Sequence, residues 1–471
     1  MLGIIKERKT PFAGHCPVLE ERSLHLGGPL GDTFMNIRPL RNGLCAQLFA
    51  GLIVFLGVPG FSEATTLYGG GAALPAGPLV GYSFLHSNTP FQNQLTLPNA
   101  VAADSLLGAW SASTANQIQY CQVNSGFGKL LLDGVTTMPP ISPYGLCGNL
   151  SGTAPTSGFN IPTTATNQPD FVASSVPMSA SEYSAFIANE GVARGEPVEF
   201  PALVQSLAIV YNNPTLPVGQ RVNLTSTQVC GIFSGAITNW NQLNASYASA
   251  LITVLARSDG NGATFNLMNH LSATCGTIAG GHFITDQVFS NAIALLPLSH
   301  GNWSFNDGEQ NLLSTLKSTA GSISYAATSD ILQIGGISYA YVDAKDPVLD
   351  LAAIYNFGAA LFDQVWSGVD VNGRPILTPQ APSTNANCLA VIDPASYAIP
   401  QPVFPAGYPI LAVSYLLTGQ PTAANIVPIR SLLATPYGSH AGVTTVGVGT
   451  GAAFIAGSNL NALRIALCTK P

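Results

Sequence analysis

The segment ITVLARSDGNGATF, residues 252–265, runs from an apolar stretch into an arginine and an aspartate two apart, then into two spaced glycines and a helix start. The apolar part reads as a buried strand, and Phe265, Met268 and Leu271 continue at helical spacing. Gly260 and Gly262 let the backbone come close to a ligand, and the free N–H groups of a first helical turn make a cradle for an anion. Arg257 can give a forked pair of charge-assisted hydrogen bonds to an oxyanion, with Asp259 holding the guanidinium in place. A surface ion pair beside a helix cap has the same local sequence, so the remainder of the chain must separate the two readings.

Around this segment, apolar runs alternate with helical patterns. ALVQSLAIVY (residues 202–211), ALITVLA (250–256), GSISYAA (321–327) and YPILAVSYLL (408–417) read as buried strands. SASEYSAFIANEG starts with Ser179 three residues before Glu182, the pattern of a capping box, and LTSTQVCGIFSG and NLLSTLKSTAG are helices that end near glycine. Strands separated by helices predict an α/β chain with mixed, mostly parallel sheets. The length predicts two lobes with a ligand cleft between them: residues 65–200 as the first part of lobe I, 201–408 as lobe II, and 409–471 as a return to lobe I with a tail. Residues 136–168 and 378–387, rich in Pro, Gly, Ser and Thr, read as surface loops or insertions.

Composition excludes some partners. Of 471 residues only 8% are charged, with 16 Lys+Arg against 23 Asp+Glu, so no basic patch for nucleic acid is available. An anion must then be held by local geometry, because the net charge of −7 repels it. From Met35 the sequence shows a basic start (Arg38, Arg41), an apolar run from Leu48 and a small-residue site at Ser62-Glu63-Ala64, which together read as a secretory signal in residues 35–64 cleaved after Ala64. Residues 1–34 read as an over-extended start. Without residues 1–64 the balance is 10 basic to 18 acidic side chains. Six cysteines remain, Cys121, Cys147, Cys230, Cys275, Cys388 and Cys468, an even set expected to form disulfides outside the cytoplasm. Sequential pairing is the simplest of the 15 arrangements that six cysteines allow.

Two further glycine-rich stretches read as turns like the one after Arg257. TTLYGGGAALPAG places Ala73 and Leu74 after a triple glycine, and YCQVNSGFGK places Ser125 between spaced glycines. Taken in order with DFVASSVPMSASEY, LTSTQVCGIFSGAITNWNQL, ITVLARSDGNGATF, STAGSISYAA and YPILAVSYLL, these blocks resemble the periplasmic phosphate-binding proteins of ABC transporters, most of all the secreted DING-type branch. The resemblance covers most of residues 66–417. It implies the two-lobed type II periplasmic-binding fold and a ligand set of Ala73, Leu74, Ser125, Ser175, Arg257, Asp259, Asn261, Gly262 and Ala263. It also shows departures: Ala73 and Ala263 stand where the family carries threonine hydroxyls, Asn261 where it has serine, and Ser175 where it has an aspartate that accepts the proton of phosphate.

The resemblance implies an exported, periplasmic or secreted solute-binding protein for inorganic phosphate or a related oxyanion, working with an ABC permease or scavenging outside the cell. Serine at 175 is expected to relax discrimination between phosphate and sulfate, because a carboxylate rejects an ion that has no proton to share. No metal, cofactor or catalytic residue is expected. The alternatives are a phosphatase, as some DING-like relatives are named, and a non-transport extracellular scaffold with an eroded pocket. Neither an H-x-H pair nor a G-x-S-x-G turn occurs to favour hydrolysis.

Overall fold

The computed structural model of the chain describes residues 64–81, 101–134, 169–216, 220–297, 302–382, 386–398, 407–421, 425–457 and 459–469. The readings of residues 1–34, of the signal and of the 136–168 loop lie outside them. Eight strands form one path: β1 (Thr66–Gly71), β2 (Gln117–Gln122), β3 (Phe171–Ser174), β4 (Val198–Asn212), β5 (Thr253–Arg257), β6 (Trp303–Asn306), β7 (Ser322–Ala327) and β8 (Leu411–Thr418), in the order β2-β1-β3-β8-β4-β7-β5-β6. Pairs β1–β2, β1–β3, β5–β6 and β5–β7 are parallel. β8 joins β3 and β4 antiparallel, and β4 joins β7 antiparallel. The sheet is therefore mixed, with parallel strands in each half and antiparallel strands where the halves meet.

β4 makes that junction. Its residues 198–206 pair with β8 and residues 207–212 with β7, so one 15-residue strand belongs to both halves. Nearly every β4 residue is buried, as expected for a strand covered on both faces, which reads as a continuous apolar run. Past the junction its side chains separate by alternation: Leu207, Ile209 and Tyr211 enter one core cluster, Ala208 and Val210 another. The first half has its own core, including Leu67, Ile118, Phe171, Val204 and Val413, to which Leu351, Tyr355, Val365 and Tyr397 from later in the chain also contribute. Each such fully buried aliphatic side chain contributes about 1.5–3 kcal/mol of transfer free energy.

Helices α1 (Ser125–Leu132), α2 (Ala180–Asn189), α3 (Ser226–Ser234), α4 (Gly262–Thr274) and α5 (Glu309–Ser318) cover the sheet. The Ser179–Glu182 capping box opens α2, and Thr225–Gln228 forms a second box at α3, which stops at Gly235 in the left-handed region. Disulfides Cys230–Cys275 and Cys388–Cys468 match the sequential pairing; Cys121 is bonded too, and its expected partner Cys147 lies outside the described residues. A hairpin of Gln364–Val369 and Pro375–Pro379 touches both halves: Trp366 N donates to Met178 O at 3.0 Å, and Thr285 N donates to Gly373 O at 2.8 Å. No helix among the described residues is long and apolar enough to cross a membrane.

The triple glycine differs from its reading as a turn. Gly69–Gly71 end strand β1, and what they avoid is collision: a Cβ on Gly69 would meet the Phe171 ring at 2.3 Å, and one on Gly71 the Ala173 carbonyl oxygen at 2.2 Å. Gly71 also has φ of +116°, outside the range that side chains favour.

Candidate functional site

The carboxyl ends of β1, β2, β5 and β6 lead to one cleft, at the place where open α/β sheets bind ligands. It is lined by Ala72, Ala73 and Leu74 after β1, Asn124 and Ser125 after β2, Arg257 at the end of β5 with Asn261, Gly262 and Ala263 following, and Glu309 after β6. Seven of the nine residues expected from sequence, Arg257 among them, therefore line the cleft. Asp259 and Ser175 stand behind this lining, and Gly262 joins the halves.

Arg257 is 2% exposed, and a buried cation is tolerated only when paired. Its Nε donates to Asp259 Oδ1 at 2.6 Å and its Nη2 to Asp259 Oδ2, a forked pair that leaves Nη1 over. Asp259 Oδ1 also accepts from Gly308 N at 3.2 Å. Burial works against the charge on Arg257, but the Asp259 carboxylate outweighs it, so the guanidinium is held above its ordinary pKa. Burial likewise disfavours the Asp259 carboxylate, and Arg257 reverses the effect, leaving its pKa below the usual value. Asp259 is thus a positioning group for the cation, the role expected of it.

Helix α4 starts at the cleft with Asn261 as its N-cap: Oδ1 accepts from Thr264 N at 2.8 Å while Nδ2 donates to Asp259 O at 2.8 Å. The Asn261 side chain is therefore occupied in the loop, and what α4 turns to the cleft is its first-turn backbone at Gly262 and Ala263. Asn124 caps α1 in the same way, accepting from Phe127 N at 2.7 Å, with Ser125 as the first helical residue. Two helix N-termini from opposite halves so converge beside Arg257, each favouring negative charge.

Ser175 is fully buried, and its hydroxyl turns away. Its Oγ lies 2.6 Å from Ser414 Oγ, which donates to Gln205 Oε1 at 2.7 Å; Gln205 Nε2 then donates to Leu74 O. Ser175 N donates to Ser125 Oγ at 3.1 Å, so Ser175 orients the cleft serine and anchors the backbone of Leu74 through this relay. Gly262 packs where no side chain fits: a Cβ there would meet Ser175 Cβ at 2.4 Å and Ser125 Oγ at 2.8 Å. Asn124, Ala72 and Glu309 were not expected. Glu309 follows Asp307-Gly308 at the first position of α5, the same glycine-then-helix signal as at Gly260 to Gly262, and that signal could have found it.

Residues 151–379 match a family model described as a PBP superfamily domain. Ser175, Arg257, Asp259, Asn261, Gly262, Ala263 and Glu309 lie inside the matched span, while Ala73, Leu74 and Ser125 precede it. Among curated proteins, the chain is similar to alkaline phosphatase L of Pseudomonas aeruginosa, 32% identical over 32% of this chain and 39% of that one. Over three sequences of that name the matched share of the relative is 36–64%, less than two thirds of its length. It is also similar to a phosphate-binding protein of an unknown prokaryotic organism, 25% identical over 56% of this chain and 70% of the relative. Among solved structures, a high-affinity periplasmic phosphate-binding protein, PfluDING, bound with phosphate, has a TM-score of 0.53 at 18% identity, covering 85% of this chain and 92% of that one. That likeness is one of fold, and it agrees with the mixed α/β architecture expected from the sequence.

Proposed function

We propose that this chain is an exported solute-binding protein that holds inorganic phosphate or a related oxyanion in the cleft around Arg257, for ABC-type uptake with a separate permease or for scavenging outside the cell. The observation that carries this reading is a buried guanidinium with Nη1 left over from its pairing, set between two helix N-termini. Relatives named phosphate-binding proteins support it. The bonded cysteines suit an oxidising compartment, in keeping with export. The proposed ligand set is Ala73, Leu74, Ser125, Arg257, Gly262 and Ala263, with Asp259, Asn261 and Ser175 positioning it. Closure of the two halves over the ion would complete its coordination.

Calorimetry of the wild type with phosphate tests the reading, beside the variant Arg257→Ala. Binding in the wild type and none in the variant is the expected result; an unchanged affinity in the variant means that the ligand sits elsewhere. The name alkaline phosphatase L favours a second reading, phosphomonoester hydrolysis, and release of inorganic phosphate from a monoester in the same samples decides it.

A further inference from the structure

The face that α4 turns to the first half is polar and dry. Asn266, Asn269 and His270, spaced so that they share one side of the helix, are each at most 1% exposed. Each holds a backbone carbonyl: Asn266 Nδ2 donates to Ser175 O at 2.7 Å, Asn269 Nδ2 donates to Pro394 O at 2.9 Å, and His270 Nδ1 pairs with Ala398 O at 2.8 Å. Ser175 follows β3, and residues 394–398 include Tyr397 of the first core. The apolar residues Leu267, Met268 and Leu271 meanwhile enter the core cluster of Leu207 and Ile209.

Asn266 differs from the other two in what it connects. Its Nδ2 also donates to Gly262 O at 2.7 Å, so one amide group reaches both the first residue of α4 and the chain after β3. Turned over, the amide would set its oxygen against two carbonyl oxygens, so the partners fix its orientation. The backbone of Ser175 carries the connection onward, because Ser175 N donates to Ser125 Oγ at 3.1 Å. Ser125 and Gly262 are the first residues of α1 and α4, the two helices whose N-termini flank Arg257. A fully buried path thus runs from one helix start to the other through Ser125, Ser175, Asn266 and Gly262. Asn266 Oδ1 is buried without a hydrogen-bond partner among the described residues. An unsatisfied acceptor in a dry interior costs free energy that an apolar side chain would not, so what the chain keeps at position 266 is the donor.

We propose that Asn266 is a positioning residue of the cleft, fixing the spacing of the two helix N-termini that cradle the oxyanion while standing outside the lining itself. This rests on the oxyanion-binding reading above. Backbone N–H groups favour an anion only where they point at it, and a hydrogen bond weakens steeply with misalignment. An anion held between two helices therefore needs their starts in register. Apolar contact is non-directional and would bring the halves together without setting that register. One NH2 group shared between Ser175 O and Gly262 O does set it.

The test is phosphate calorimetry beside urea unfolding on the wild type, Asn266→Ala, Asn266→Ser and Asn269→Ala. Asn266→Ala leaves Ser175 O without this partner and should weaken phosphate binding by about 5- to 100-fold. Asn269→Ala removes a bond of the same kind farther along α4 that is tied to no cleft residue. It should cost comparable stability in urea while phosphate affinity stays within about threefold of wild type. Serine at 266 can bond back to Gly262 O but is too short for Ser175 O, so Asn266→Ser should weaken binding as alanine does, and it carries the test should Asn266→Ala fail to fold. A loss below about fivefold in the folded position-266 variants overturns the proposal. An equal loss in Asn269→Ala overturns it as well, because Asn266 is then one packing contact among several. A wild type that binds no phosphate refutes the oxyanion-binding reading itself, a distinct result.

Discussion

Gly262→Ala probes whether the cleft works by closure. The added Cβ would sit 2.4 Å from Ser175 Cβ, 2.8 Å from Ser125 Oγ and 3.0 Å from Ser175 Cα, and no flexible chain end is available to move aside. All three atoms belong to the first half, whereas Gly262 opens α4 in the second. The strain therefore falls on the contact between halves, and opening the cleft relieves it. Overpacking by one methyl costs about 1–3 kcal/mol, which becomes about a 5- to 150-fold loss of affinity at tenfold per 1.4 kcal/mol. Calorimetry should show this weakening for phosphate, and the thermal shift that saturating phosphate gives should shrink in step. The melting temperature without ligand should change little. Gly438→Ala is the control: its Cβ would meet nothing nearer than 3.7 Å, and phosphate affinity should stay at the wild-type value. A dissociation constant for Gly262→Ala within twofold of wild type would refute the argument that closure brings α4 against Ser125 and Ser175.

Three other outcomes follow from neighbouring parts of the fold. Ser175→Ala breaks the relay to Ser414 and Gln205 and should cost about 0.5–1.5 kcal/mol in urea unfolding while leaving the phosphate-to-sulfate ratio as it was; a changed ratio would show the hydroxyl reaching the ligand. Burial pushes Glu199 and Asp133 up to about 8 from ordinary values of 4.5 and 3.8. The folded state thus keeps protons that the unfolded chain releases near pH 4, so these groups favour the fold below that pH and the benefit is lost as pH rises to about 8. Each adds a slope of up to about 1.4 kcal/mol per pH unit, and Glu199→Gln should flatten urea-unfolding stability between pH 5 and 8; an equal slope in wild type and variant would show that Glu199 does not hold a proton. Replacing Cys230 and Cys275 by serine opens a link across 45 residues that ties α3 to the end of α4, with an expected loss of about 2–5 kcal/mol in the same unfolding measurement; a loss below 1 kcal/mol would show that other contacts hold the two helices.

What the sequence made readable was what repeats locally. Strand β4, the Ser179–Glu182 capping box and the Arg257-to-Gly262 turn each rest on short-range pattern, and each appears where the pattern places it. The triple glycine read as a turn, yet it ends a strand, and the reason for it lies in Phe171 and Ala173, about a hundred residues away, which no local rule brings next to β1. Ser175 shows the same limit in the site. Its identity reads as a lost carboxylate, yet the direction of its hydroxyl is set by Ser414, 239 residues later, so sequence alone overstated its exposure to the ligand.

The two helix N-termini at the cleft bear on how a chain with so few charges can hold an anion. Net attraction is absent: the protein is acidic overall, and Arg257, the only cation among the described residues lining the cleft, is already paired with Asp259. A second cation would strengthen binding of every oxyanion alike and so would not discriminate. Backbone N–H groups at α1 and α4 suit the task instead, because they are neutral, fixed and already oriented before the ion arrives, and so favour an anion without adding net charge to the chain.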